Sequence, residues 1–532
     1  MMVWMTPNPA SNKVKTIPSP TGGLNAFDNL ANMPPTDAAV MRNWWPQPYG
    51  LSVRRGTREW ATGFGNPVNS LATWNGESGV SKLFAWAGAG MYDISSRGVA
   101  AAPILTGLSN SLWQTVQQSN AGGNHLIAVN GVDDAIIYNG TGVARLVVGD
   151  GIVANTWSGL DPQDAVDVTI HQGRLWAAQV NTSKGWYLPV GAISGILVAF
   201  DFGPLFPHGG YLAQLLTWTI DDGNGAEDHL VALSSRGDAV VYAGTNPDDD
   251  TTWSLVGVYY VGAPVSGRRA MTKMAGDLVV MTDRGLISMS AMLVSTKVKD
   301  STLLKIEKIQ YLLSENAKVL GAIIGWSVNY FPNINMLMVN IPSVTSTGSI
   351  QVCANDLTPG QPWTSFQGMD ARCWKLWENH TMFGTPDGRV MEAWYGYVDN
   401  LTLADTGGTA INAAVQQAYN YFDAPALQKQ LGMYRLNFTT NNPQFTFSSK
   451  VEYDFAIAPL VASTTFSAGE LSLWNSALWD AGLWSSSSQV GYATWIQAQG
   501  VGNAVSISLV TSTTAALTWI STDYSTKSGG LL

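Results

Sequence analysis

The chain has 532 residues, of which 46% are apolar and only 12% charged, with 54 glycines, 22 tryptophans and a formal net charge of −10. A chain so long and apolar builds a core, which excludes disorder, and an acidic balance without clustered Lys and Arg excludes a surface made to grip nucleic-acid phosphates. Two cysteines, Cys353 and Cys373, supply neither a disulfide framework nor the roughly four ligands of a zinc site, and are expected as buried thiols.

The opening, MMVWMTPNPASNKVKTIPSP, lacks the long apolar stretch of a signal peptide. The longest apolar run elsewhere, GAISGILVAF at 191 to 200, is too short to cross a bilayer. No membrane-spanning segment is expected, and the chain reads as one made and used in a cytoplasm. Residues 1–60 are broken by Pro, Gly and Asn yet carry Leu, Met and the pair Trp44 and Trp45, which suits an extended arm pinned to a body.

A single pattern then recurs: a β-prone apolar run, a turn of Gly, Asn or Asp, and a second run. It occurs at 81–95, 124–140, 171–190, 228–244, 275–290, 332–342 and 380–396. A spacing of roughly 45 to 60 residues is close to that of radially repeated antiparallel sheets. The fold class is therefore mainly β, an irregular β-propeller of about six to eight blades over residues 61–410, with a twisted pair of sandwiches as the alternative architecture. One inserted helix is predicted near 301–317, where Leu303, Ile306, Ile309 and Leu313 share a face and Asp300 or Ser301 can cap. From 411 to 532 the texture changes to alternating strands such as MYRLNF, a C-terminal β-rich domain. Within it LSLWNSALWDAGLW (471 to 484) spaces Trp474, Trp479 and Trp484 by five residues, a step that matches neither helix nor strand, so the indoles suit plugs at a core or subunit interface.

Chemistry-bearing residues are sparse. In DDGNGAED (221 to 228), Asp221, Asp222, Asn224, Glu227 and Asp228 could offer hard oxygen ligands, but the spacing is not that of a calcium loop and a solvated turn accounts for it. Asp248, Asp249 and Asp250 read as a loop. Asp201, Asp222 and Glu392 are conceivable hydrolase carboxylates that nothing singles out. The histidines His125, His171, His208, His229 and His380 have no metal-binding spacing, and the RGD at 236–238 reads as a hairpin tip. The basic pairs Arg54, Arg55 and Arg268, Arg269 are expected in ion pairs, with phosphate contact as the alternative. No catalytic, cofactor-binding or metal-binding residues are assigned, and no cofactor is expected.

Five phrases stand out in order along the chain: PSPTGGLNAFDNLANMPPTDAAVMRNWWPQPYGLSVRRG, VGVYYVGAPVSGRRAMTKMAGDLVVMTDRGLISMS, GWSVNYFPNINMLMVNIP, MDARCWKLWENHTMFGTPDGRVMEAWYGYVDN and NAAVQQAYNYFDAPALQKQLGMYRLNF. Taken together, over roughly residues 15 to 440, they resemble the tail nozzle proteins of short-tailed bacteriophages (tail tubular protein B, or packaged-DNA stabilisation protein). The resemblance implies a propeller carried on a platform domain that joins both chain termini. It further implies a non-enzymatic virion protein, assembled in the bacterial host cytoplasm as a homo-hexamer below the tail adaptor ring. Such a hexamer closes the DNA channel before infection, conducts the genome during ejection without sequence-specific binding, and meets tail fibres or spikes and a tail plug or needle. The alternative is a propeller that binds or depolymerises carbohydrate in receptor recognition, a reading that rests on aromatic richness. On the interface reading, Trp479→Ala lowers the assembled fraction or the thermal midpoint in sizing and melting experiments. On a sugar-stacking reading both stay unchanged.

Overall fold

The computed structural model describes residues 13–221, 226–274, 276–293, 306–343, 348–441, 444–455, 464–467, 489–492, 495–498 and 500–528. Strands dominate, and most pair with their neighbours in the chain. Six of the seven hairpins expected from the sequence are consecutive, antiparallel-paired strands of one sheet, whereas 332–342 holds a turn and a single strand, Met336–Ile341, whose partner Ser327–Phe331 precedes it. Five such sheets are free-standing. They begin at the strands Val68–Asn75, Gln114–Asn120, Ala165–His171, Leu212–Asp221 and Met271–Met274. A sixth, from Ser327–Phe331 to Trp363–Phe366, continues into a larger sheet, and a seventh starts at Cys373–Trp377. These first strands neighbour one another in chain order, and the last lies beside the first. The result is a closed propeller ring of seven blades.

Closure uses chain from far away. The seventh blade ends at Val390–Ala393, and its outer strand is Thr57–Thr62, paired antiparallel with Glu392 opposite Arg58. That register places the Arg58 guanidinium Nε 2.6 Å from Glu392 Oε2, with the other carboxylate oxygen 2.6 Å from His380 Nδ1. The Arg58 guanidinium also lies over the Tyr395 ring at 3.7 Å.

Between successive blades sits one apolar cluster per interface. Trp86 and Trp113 stack at 6.1 Å between the first and second blades, and Trp176, Trp253 and Tyr242 stack between the third and fourth. Blade faces are twisted and leave wedge-shaped gaps, so large flat rings fill them with few side chains. Among the described residues nine tryptophans are fully buried, which accounts for much of the aromatic excess. Cys353 and Cys373 are buried free thiols.

The inserted helix is Glu307–Leu320, and Ile309, Leu313 and Ala317 face the cluster between the fifth and sixth blades. It begins six residues later than the predicted start at 301. Ile306 stands at its N-cap without a side-chain bond to the backbone, and Leu303 and the proposed caps Asp300 and Ser301 lie outside the described residues. A short helix, Met289–Leu293, was not foreseen; it directly follows the strand Gly285–Ser288, and its Ser290 hydroxyl and amide both bond Asp277.

Both chain ends build a sandwich beside the ring. The strand Lys13–Pro18 pairs along its length with Leu517–Ser528, which also pairs with Lys429–Thr440. The facing sheet takes Ala38–Arg42, Thr409–Gln417, Gln444–Tyr453 and Val505–Thr513. Trp44, Met41, Leu436, Phe438, Leu509 and Trp519 fill the space between them. The Trp repeat at 471 to 484 lies outside the described residues.

Where the arm passes from sandwich to ring, Arg54 is fully buried. Its guanidinium makes a two-pronged pair with Asp399 (2.8 and 2.6 Å), and donates to Asn43 Oδ1 (3.0 Å) and to the carbonyls of Arg55 and Gln367 (2.9 Å each). Every donor of the fork is used. Removing one member strands a buried charge, so Arg54→Met should destabilise the protein by about 3–5 kcal/mol, with Asp399→Leu in the same chain recovering part of the loss. Urea unfolding midpoints measure both, and a loss below about 1 kcal/mol for the single variant would contradict this account.

Candidate functional site

The centre of the ring is where unlike side chains from many blades meet. Each innermost strand carries polar residues among its apolar ones, and these include Ser70, Gln114, Asp167, Gln214, Thr272, Asn329 and Lys375. The loop before the fifth blade adds Arg268 and Arg269. Its Gly267 and Arg268 have φ of 103° and 56°, a left-handed pair that glycine tolerates and arginine adopts at a cost of about 1–2 kcal/mol.

The two arginines bind different blades. Arg268 Nη1 donates to the Ala213 carbonyl on the fourth blade at 2.5 Å. Arg269 reaches across the ring, with Nη1 donating to the Asn69 carbonyl at 3.0 Å and Nη2 to Ser70 Oγ at 2.8 Å and the Trp113 carbonyl at 3.1 Å. Gln114 Nε2 donates to the Gly267 carbonyl at 3.3 Å, and the Ala270 amide donates to Gln214 Oε1 at 3.1 Å. These crossings divide the axis into two cavities. One, of about 510 Å³, is lined chiefly by loops leading into the innermost strands, and the other, of about 330 Å³, lies along those strands; Gln114, Gln214, Arg268 and Arg269 line both.

The electrostatics are one-sided. Arg268, Arg269 and Lys375 keep part of their surface accessible, and that surface faces the cavities. Burial pulls all three below their ordinary pKa values, and the Arg269 charge lowers Lys375 further. The nearby acid is Asp167, whose carboxyl burial pushes up to about 7 against the opposing pull of the Leu215 amide and the Arg268 charge. The basic pair at 268 and 269 makes no intrachain ion pair among the described residues, which corrects the expectation as far as pairing within the chain goes: its bonded partners are neutral oxygens, because the loop aims it at carbonyls and a hydroxyl and not at a carboxylate. Arg54 does make an intrachain ion pair, and Arg55 lies over the Tyr397 ring at 5.1 Å.

The other singled-out residues are dispersed. Asp201 closes a turn on the third blade, accepting from Ser183 Oγ (2.6 Å) and the Gly203 amide, while Glu392 is held on the seventh; Asp222 and Asn224 lie outside the described residues. Asp228 accepts from Thr219 across its hairpin at 2.6 Å. Asp248 accepts from the Tyr187 hydroxyl, and Asp249 caps its own turn through Thr251. Among the described residues no group of three or more His, Cys, Asp or Glu is placed to hold a metal ion. The RGD segment is a hairpin tip, with Asp238 buried and accepting from His208 Nδ1 at 2.6 Å. His171 is buried, and desolvation lowers it to about 4. His229 is buried on its strand, and His125 lies 3.3 Å from Asn120 Oδ1. Sequence reasoning missed Asp167, Gln214 and Lys375; the available signal was a polar residue flanked on both sides by apolar ones within a first strand, as in AVDV, LAQLL and CWKLW.

No family model matches the chain, and no curated protein matches it. Among solved structures it is similar to a quinoprotein alcohol dehydrogenase-like protein from Bacteroides thetaiotaomicron, at 8% identity and a TM-score of 0.32, covering 56% of this chain and 66%, just under two thirds, of that one. It is also similar to YCF48 bound to a D1 peptide, at 12% identity and a TM-score of 0.36 over 68% of this chain and 99% of the other. A third likeness is to BBS1N in complex with ARL6DN, at 12% identity and a TM-score of 0.24 over 42% and 76%. The propeller assignment rests on strand pairing and ring closure, not on these scores.

Asp167 has a signed consequence for pH. Its pKa is raised from 3.8 to about 7 on folding, so between those values the native state holds a proton that the unfolded chain lacks, and this group's contribution falls as pH rises. His171, lowered from 6.5 to about 4, tilts stability the opposite way below 6.5. The difference between wild type and Asp167→Asn isolates the first group, since Asn keeps an acceptor for the Leu215 amide. The variant should match wild type near pH 4 and exceed it by up to a few kcal/mol above pH 7 in denaturant titrations; a pH-independent difference would refute the burial account.

Proposed function

We propose that the chain is a structural protomer of a short-tailed phage tail nozzle, six copies forming a tube that gates and then conducts DNA below an adaptor ring. The observation that carries this reading is the strand Lys13–Pro18 zipped to Leu517–Ser528, so that both ends of the chain make one platform beside a closed propeller. That is the arrangement implied by the ordered resemblance over residues 15 to 440. The helix between the fifth and sixth blades, followed by the pair Ser327–Phe331 and Met336–Ile341, fits the same resemblance.

The axis of each propeller has no room for a duplex. Arg269 crosses it, and the cavities on either side hold about 510 and 330 Å³. DNA therefore runs between protomers, past the outer surfaces of an acidic chain, and a wall that repels phosphates lets the duplex slide. No separate observation favours carbohydrate binding: among the described residues Trp495 is the one exposed tryptophan, and the rest are wholly or partly buried. Native mass spectrometry of the purified protein with its adaptor should give six copies of the 57.0 kDa chain, and electron microscopy of virions should place them at the tail tip. Absence of the chain from mature tails would overturn the reading, as would a glycan array with a specific saccharide hit.

A further inference from the structure

We propose that the smaller axial cavity is an anion site that takes a compact tetrahedral oxyanion, either inorganic phosphate or the phosphoryl group of a small molecule. The inference rests on the fold and stands independently of any role in a tail. Three observations meet there. First, cations from separate parts of the ring converge: Arg268 and Arg269 from the loop before the fifth blade and Lys375 from the seventh line a cavity of about 330 Å³ in which no Asp or Glu takes part. This concentration is unexpected in a chain of net charge −10, where acids to pair with are plentiful.

Second, donors are left over. Lys375 has no hydrogen-bond or ion-pair partner among the described residues, although the interior of a protein penalises an unpaired ammonium. Arg269 uses three donors on neutral oxygens of Asn69, Ser70 and Trp113, and a guanidinium has five. The hydroxyls of Thr115 and Thr272, which also line the cavity, make no hydrogen bond among the described residues. Third, the lining residues come from every blade except the third, with the donors Gln114 on the second, Arg268, Arg269 and Thr272 at the fifth and Lys375 on the seventh, so donors surround the space from several directions. A tetrahedral anion presents acceptors all round and suits that better than a planar carboxylate, which presents its two oxygens on one edge. Arginine also serves as a strut between blades here, whereas nothing in the packing requires an ammonium at 375. A bound anion supplies the missing counter-charge.

The test uses the full chain in melting and calorimetric titrations with inorganic phosphate, against chloride at equal ionic strength. Wild type should show saturable binding and a raised melting temperature with phosphate. Lys375→Met should bind at least tenfold more weakly, and Lys375→Arg, which keeps the charge, should retain the response. Arg269 is a poor first target because its loss removes bonds between blades. A nucleoside 5′-monophosphate run in parallel distinguishes the source: comparable binding assigns a carried phosphoryl group, and its failure beside binding of phosphate assigns the free ion. The proposal is overturned if wild type shows no response beyond chloride, if Lys375→Met responds like wild type, or if duplex DNA binds while phosphate does not.

Discussion

The buried fork of Arg54 on Asp399 is the interaction on which the rest of this structure depends. A propeller made from one chain has an open joint between its last blade and its first. Here the joint is closed by Thr57–Thr62, which must leave the sandwich, cross to the seventh blade and keep its register there. Arg54 stands at that crossing, bonded to segments from the arm, from the end of the sixth blade and from the strand Val398–Asp399. A lysine has three donors on one nitrogen, whereas these partners take five N–H groups spread over a planar fork, which only arginine supplies. Because Arg54 and Asp399 are both buried, neither tolerates the loss of the other, and the cost of misplacing the arm falls on the whole junction. The closing strand also waits for residues more than three hundred positions later, so native closure follows the completion of the ring and not the order of synthesis.

The low charge content follows from the same geometry. Seven interfaces between blades and a sandwich all have apolar interiors, and the flat rings of Trp86, Trp113, Trp176 and Trp253 fill wedges that aliphatic side chains would fill only in greater number. Aromatic abundance, which on sequence alone invites a sugar-binding reading, is thus largely a packing requirement. The remaining polarity is placed where blades cannot pack, at the rim turns and on the axis.

What was legible in the sequence and what was not divides along physical range. Six of the seven hairpins announced themselves because each is a local object, two apolar runs and a turn. The helix face expected at Leu303, Ile306, Ile309 and Leu313 was half legible: Ile309 and Leu313 are buried as the spacing implied, but the start did not hold, since Asp300 and Ser301 look like caps to a reader of local chemistry while the helix begins at Glu307 and Ile306 is its N-cap. Closure was illegible. Nothing in TREWAT says that its partner is VMEA, because strand pairing over such a separation leaves no local mark. The axial site was hard to read for a related reason: Gln114 on its strand, Arg269 in the loop before the fifth blade and Lys375 inside CWKLW are far apart in the chain and acquire meaning only when the ring brings them together. An Arg-Arg pair in an acidic chain suggests ion pairs, and the carbonyl partners it has instead depend on a left-handed turn at Gly267 and Arg268 that composition does not reveal.

The distribution of charge links fold and proposed role. Three cations on the axis are offset by a chain whose net charge is −10, so the rest of the protein carries a still larger negative balance. Were the axis a conduit, this arrangement would be backwards, because guanidinium groups would hold a passing phosphate backbone and acidic surroundings would keep it from entering. With Arg269 bonded across the ring, the axis is instead a strutted core with small cavities on either side, and its positive charge is surrounded by the blades. The surface that any large neighbour meets is then the acidic one. Such a surface binds DNA weakly at physiological salt, and repeating it around a symmetric assembly multiplies the repulsion without creating a site. A passage bounded by these outer faces would keep a duplex centred through many weak, equal pushes, which is the physical requirement for transport without recognition.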